Sequence, residues 1–225
     1  MSYLFFLLPG MLLMLWAQFQ IESTYAKYAQ VESSLGMTGA EVAETILKEM
    51  GIHNVTVEPI AGELTDHYDP SAKAVRLSEV VYGSRSLSAA AVAAHECGHV
   101  LQDIRGYKPM NMRAALVPVA NLGSNLSPWL IMGGFMLTAM GSISTIFINI
   151  GIALFSGVVL FHLVTLPVEF DASSRALRLV NELGILQGDE NRAAKKVLNA
   201  AALTYVATAL YAALQLAQLL MSRRD

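Results

Sequence analysis

The chain has 225 residues, 54% of them hydrophobic and 15% charged, and its mean hydropathy is +0.47. A soluble domain carries about 25% charged residues, so this composition describes a membrane protein. A net charge of −3 with no basic run interleaved with aromatics excludes nucleic acid as a partner, and the single cysteine, Cys97, excludes an internal disulfide.

The first element predicted along the chain is a membrane anchor within residues 1–20. Tyr3 to Phe19 is apolar apart from Gln18 and long enough to cross a bilayer. It lacks a positively charged start, and no small-residue cleavage site follows Trp16-Ala17-Gln18, which argues against a cleaved signal peptide. A unit over 21–113 follows. Thr38 and Glu41 form a capping-box pattern opening a helix to about Met50, with Val42, Ile46 and Met50 on one stripe and Gly51 past its end. The alternating segment from His53 to Pro59 predicts a short strand. Leu64 to Tyr68 and Ala74 to Leu77 predict two more, joined across the turn-former Asp69-Pro70-Ser71-Ala72, which gives a small β-meander.

The meander leads into an alanine-rich helix, with Ser88 as its expected N-cap and Gly106 as its stop. This helix carries His95-Glu96-Cys97-Gly98-His99. Histidines four apart project from one helix face, where two imidazoles can grip one zinc ion, and Glu96 beside them can act as a base on a metal-activated water. Chance supplies this pattern in about one chain of this length in two hundred. Cys97, two residues from His95, points away from that face and reads as a packing residue.

Residues 114–167 predict two further spans. Ala115 to Met140 is interrupted by Pro118, Asn121, Asn125 and Pro128, the asparagines suited to a polar groove or to bonding neighbouring helices; Ile143 to Leu166 is cleanly apolar. Residues 168–202 predict helices outside the bilayer. Residues 203–225 contain a last span, Leu203 to Met221, in which Gln215 and Gln218 suggest contact between helices. The expectation is thus a mainly α, multi-pass protein of about four transmembrane helices. In that arrangement thirteen of the fifteen Lys and Arg residues share one face, which the positive-inside rule makes cytoplasmic. Arg223 and Arg224 fall on the other.

A catalytic zinc normally takes three protein ligands and a water. The remaining histidines are His53, His67 and His162; the downstream acids begin with Asp103, Glu169 and Asp171. Asp103, one turn beyond His99, suits orienting that histidine better than binding the ion. His162, low in a span, reads as packed. Glu169 has two readings. It follows Pro167 and opens a helix through Ala172, Ala176 and Leu179, so it is either a third ligand or a helix N-terminal carboxylate favoured by the dipole.

The segments Met37–Ala43, Leu64–Pro70, Val75–Ser78, Ala93–His99, Leu116–Asn121, Thr165–Ser173 and Val197–Ala207 resemble the YugP-type neutral zinc metallopeptidases of bacterial membranes. That family is similar in plan to the HtpX-like membrane peptidases. The resemblance covers nearly the whole chain. It implies a gluzincin-like zinc peptidase core, Glu169 as the third ligand beside His95 and His99, a bacterial inner-membrane location and a cytosol-facing site. One departure stands out: HtpX-like enzymes carry Glu-x-x-x-Asp, and the matching position here is Ser173, which leaves Asp171 or Asp103 to take the aspartate's part.

The expected activity is metal-assisted hydrolysis of peptide bonds in membrane proteins or in peptides held near the lipid bilayer, with Zn2+ as cofactor and Glu96 as base. His67, Tyr68, Arg175 and Tyr205 are candidates to steady the oxyanion, His67 being preferred. The competing readings are a non-catalytic, zinc-stabilised membrane scaffold and a binding or transport subunit. Sequence gives no oligomeric state and no physiological substrate.

Overall fold

The computed structural model describes residues 2–222, and for residues 2–6 the backbone alone. In chain order the elements are α1 (Ser2–Ala29), α2 (Gly39–Glu49), β1 (Thr56–Ile60), β2 (His67–Asp69), β3 (Ala74–Ser78), α3 (Glu79–Tyr82), α4 (Leu87–Ile104), α5 (Lys108–Met136), α6 (Ser142–Glu182) and α7 (Gly188–Ser222), with a 3-10 turn at Thr138–Met140. The chain falls into two compact units. A mixed unit holds Ala17–Tyr107 and Val168–Thr204; a helical unit holds Met1–Trp16, Lys108–Pro167 and Tyr205–Asp225.

Local sequence explains most of the mixed unit. The Thr38 amide donates to Glu41 Oε2 (2.7 Å) and the Glu41 amide to Thr38 Oγ1 (3.2 Å), so both arms of the capping box are made and α2 starts where the pattern places it. Val42 and Ile46 then point wholly inward. On the expected turn, the Asp69 carboxylate accepts from the amides of Ser71 (2.9 Å) and Ala72 (3.0 Å), which bends the chain from β2 into β3.

The sheet corrects the expected meander. Its order is β1-β3-β2: β1 runs parallel to β3 from Thr56↔Ala74 to Ile60↔Ser78, and β2 runs antiparallel to β3 through Tyr68↔Val75. Burial gives the reason. Val75 and Leu77 are fully buried, so β3 is the strand that needs a neighbour on each side. The short β2 offers only Tyr68 to the core, between half-exposed His67 and Asp69, and suits an edge. Pro59 has no amide hydrogen to donate, which restricts β1 to the other edge. The chain between β1 and β2 also leaves strand geometry, with positive φ at Gly62 (+106°) and Leu64 (+56°), and Asp66 there accepts from the Ser78 amide at 2.8 Å.

The start of α4 is corrected by two residues. Ser86, not Ser88, is the N-cap, its Oγ accepting from the Ala89 amide at 3.2 Å. Ser88 sits inside the first turn, where its hydroxyl donates to the Tyr25 carbonyl at 2.9 Å and ties α4 to α1. Gly106, at φ +61°, ends the helix as expected.

A second correction concerns Pro167. It lies inside α6, which runs unbroken for 41 residues, so no helix opens at Glu169. The dipole reading of Glu169 therefore loses its basis. At 1.5 Å per residue α6 is about 60 Å long, twice the hydrocarbon thickness of a bilayer.

Packing within the mixed unit depends on Gly98. A Cβ at this position would lie 2.5 Å from the Ala172 carbonyl oxygen, so the absence of a side chain lets α4 rest directly on the backbone of α6. Gly98→Ala is expected to destabilise the fold by about 1–3 kcal/mol, as overpacking does, and to weaken metal binding by pushing the two helices apart. Thermal unfolding of the metal-free protein, measured beside its zinc affinity, checks both effects.

The expectation of four membrane spans is also corrected. Among the described residues two helices, α6 and α7, are long and apolar enough to cross a bilayer. Pro118, Asn121, Asn125, Ser127 and Pro128 dilute the hydropathy of α5. The first expected span begins on residues 3–6, whose side chains lie outside those described, as do Arg223 and Arg224. Asn121 and Asn125 lie on exposed faces of α5 and, among the described residues, make no hydrogen bond to another helix, whereas Gln215 and Gln218 line an open groove of about 620 Å³ with Ser127 and Phe155 in the helical unit.

Candidate metal centre

The mixed unit brings His95, His99 and Glu169 together. His95 and His99, one turn apart on α4, present their Nε2 atoms to the same carboxylate oxygen: His95 Nε2 lies 3.3 Å and His99 Nε2 3.7 Å from Glu169 Oε2. One ligand atom from each of the three residues lies within 4.8 Å of the other two. Ligands placed tetrahedrally around zinc at ~2.0–2.2 Å stand about 3.3–3.6 Å apart; the His95 distance falls in that range and the His99 distance just above it, close to what a shared ion needs. Glu169 and His99 are buried at 3% and 7% exposure, while the His95 side chain retains some access to solvent.

The far sides of the imidazoles are held as well. Gln102 Nε2 donates to the Val168 carbonyl (2.8 Å) and to Asp171 Oδ2 (2.8 Å). With its amide nitrogen committed to two acceptors, Gln102 turns its oxygen toward His99 Nδ1 at 2.9 Å. Nδ1 must then carry the hydrogen, which leaves the Nε2 lone pair facing Glu169 and ready to coordinate. Arg175 Nε holds Asp171 in turn at 2.5 Å. On the other imidazole, Ser173 Oγ lies 3.1 Å from His95 Nδ1. The donor set, with the His99 tautomer that Gln102 fixes, thus fits a zinc ion.

Sequence reasoning missed Gln102 and assigned its part elsewhere. Asp103 does not orient His99. It accepts from the Tyr68 hydroxyl (2.7 Å) and from Lys73 Nζ (2.5 Å), and although burial raises its pKa, those two bonds hold it below the usual carboxylate value. The signal available was spacing: Gln102 stands three residues after His99, hence on the same helix face. Ser173, one turn past Glu169, occupies the position expected to want aspartate, and Asp171 is linked to His99 through Gln102.

Several candidates lie outside the cluster. His67 Nδ1 donates to the Thr65 carbonyl at 2.7 Å, so in the neutral ring its Nε2 is an acceptor, and His67 offers a second donor only as an imidazolium. Tyr68 is spent on Asp103, and burial together with that bond raises its pKa. Arg175 pairs with Asp171 and stands over the Tyr107 ring. Tyr205 belongs to the helical unit. The Cys97 side chain points to the Ala43 carbonyl (3.7 Å), and burial pushes its thiol pKa up, as befits a packing residue. His162 packs edge-on against Phe161.

Glu96 lies on the α4 turn between His95 and His99 at 6% exposure, and among the described residues no hydrogen bond or ion pair ties its carboxylate down.

Two measurable consequences follow from this arrangement. Ser173→Ala and Gln102→Ala are each expected to lower zinc affinity by about 10–100-fold, as loss of a ligand's supporting partner does, without unfolding the protein; competition with a chromophoric chelator reads this. The second concerns pH. Burial lowers the pKa of His99, but the neighbouring carboxylates of Glu169 and Glu96 outweigh burial and raise it above the ordinary value of 6.5. Zinc must displace that proton. Apparent affinity should therefore begin to fall, as pH is lowered, above the pH at which a free histidine would protonate. Titrations of zinc binding between pH 8 and pH 6 measure the onset.

Comparison with known proteins agrees with this chemistry. A family model described as "Putative neutral zinc metallopeptidase" matches residues 3–224. The chain is 47% identical over 221 residues to the Bacillus subtilis (strain 168) protein named "Putative membrane protease YugP", covering 98% of this chain and 96% of that one. No solved structure matches. Matched along almost its full length, this chain belongs to the neutral zinc metallopeptidase family, and zinc is the ion that its cluster of His95, His99 and Glu169 is suited to hold.

Proposed function

We propose that the protein is a membrane-embedded zinc metalloendopeptidase that hydrolyses peptide bonds of membrane or membrane-associated proteins. The observation that carries this reading is the meeting of two imidazoles from α4 with one carboxylate from α6, beside the untied Glu96. His95, His99 and Glu169 hold the metal. The chemistry that zinc supplies when bound is Lewis acidity, which brings the pKa of a water toward about 7 and makes a carbonyl electrophilic. Glu96 takes the proton of the attacking water and hands it to the leaving amine. Gln102 and Ser173 keep both imidazoles oriented. His67 is assigned to steady the developing oxyanion.

The site faces the cytoplasm of a bacterial cell, in its inner membrane. Support comes from the Lys and Arg residues of the mixed unit, six between Lys27 and Arg105 and five between Arg175 and Lys196. Glu169 follows the apolar stretch ending at Leu166 by less than one helical turn, which favours substrates held at the bilayer surface. Cleavage of a reconstituted membrane substrate should outpace cleavage of its soluble fragment, with zinc chelation stopping both. Equal rates on the two would remove the membrane preference, and no chelator-sensitive cleavage would remove the peptidase reading.

A further inference from the structure

We infer that the groove between α1 and α7 in the mixed unit binds the phosphate headgroup of an anionic membrane lipid. This rests on the membrane character of the chain and is independent of its hydrolytic chemistry. The groove has a volume of about 380 Å³ and is lined by Thr24, Lys27 and Tyr28 of α1 and by Lys196, Asn199 and Leu203 of α7. Such a volume lies in the range of small-ligand sites, ~300–1,000 Å³.

Charge is the first argument. Two ammonium groups line this groove and no carboxylate does. Among the described residues neither lysine is ion-paired, although acids stand nearby in sequence: Glu22 accepts from Gln18 (2.6 Å), and Asp189 is taken by Arg192. Lys27 Nζ instead rests 5.5 Å from the centre of the Tyr28 ring. Like charges gathered in one concavity repel unless an anion joins them. The Thr24 and Tyr28 hydroxyls and the Asn199 amide are further donors of the kind a phosphate oxygen accepts.

Position is the second. On α7 the charged residues end at Lys196, and the apolar stretch begins at Leu203, one turn beyond Asn199. On α1 the apolar run ends at Phe19, little more than one turn before Thr24. The two lysines stand about two helical turns outside the apolar stretch on each helix, within reach of lipid headgroups for such long side chains, while Leu203 offers an apolar surface to the start of an acyl chain. Basic pockets between helices at this level suit phosphate headgroups.

The test uses the full-length, zinc-loaded protein in detergent, given equimolar phosphatidylglycerol and phosphatidylcholine of the same acyl chains, with retained lipid counted by native mass spectrometry. The wild type should favour phosphatidylglycerol. At about fivefold per lysine, the double variant Lys27→Gln, Lys196→Gln should lose about 25-fold of that preference, whereas Lys48→Gln, on the exposed side of α2, should keep it. Unchanged zinc stoichiometry certifies the fold of each variant. Equal retention of the two lipids by the wild type, an unchanged preference in the double variant, or displacement of the lipid by inorganic phosphate at equal concentration would each overturn the inference.

Discussion

Replacing Glu96 by glutamine is expected to leave one zinc per chain in place and to lower peptide hydrolysis by about 10²–10⁴-fold, the usual contribution of a positioned acid–base group. The substitution keeps shape and volume at a buried position and breaks no hydrogen bond or ion pair made by the carboxylate among the described residues. The fold should not notice it, and the ligands lose only the neighbouring charge that raises the pKa of His99. What disappears is the capacity to accept a proton. Metal analysis and cleavage assays on the same preparation separate the two. Should the wild type retain zinc and still cleave no membrane protein, the metal would only tie helices together, and the scaffold reading would take over.

The second large effect belongs to Glu169. Glu169→Ala should weaken zinc binding by more than the ~10–100-fold typical of a supporting residue, and activity should fall with it. Two imidazoles remain, but α6 then gives the ion nothing. The variant also removes one of the carboxylates that raise the pKa of His99, so that Glu96 and Gln102 are left to oppose burial at 7% exposure and its pKa falls. Glu169→Asp is the informative partner: its carboxylate is withdrawn by one methylene, and affinity should recover only in part. Chelator competition, with thermal unfolding of the metal-free forms, distinguishes a lost ligand from a lost fold.

Legibility followed the range of the interactions. Features written in neighbouring residues were readable: the Thr38–Glu41 capping box, the stop at Gly106, and two histidines four apart on one helix. Features decided by distant partners were not. Whether β1 lies beside β2 or beside β3 depends on what covers Val75 and Leu77, which no local pattern records. Pro167 reads locally as a boundary, yet α6 continues through it and carries the buried Val168 and Glu169 along its length. Ser86 and Ser88 are equivalent as N-cap residue types; the choice falls to Ser86 because Ser88 is used by the Tyr25 carbonyl, 63 residues earlier. Gln102 escaped for a related reason. Its part appears only when Val168 and Asp171 of α6 claim its amide nitrogen and so turn its oxygen toward His99.

The central claim is that the ion is held jointly by α4 and α6. X-ray absorption at the zinc edge of the purified protein, beside Glu169→Ala, tests it most directly. The wild type should show a shell of light atoms at about 2.0–2.2 Å with the signature of two imidazoles and no sulfur at ~2.3 Å, and the variant should lose one oxygen from that shell or lose the metal. A sulfur contribution, which would bring Cys97 to the ion, or a shell identical in the two proteins would contradict it.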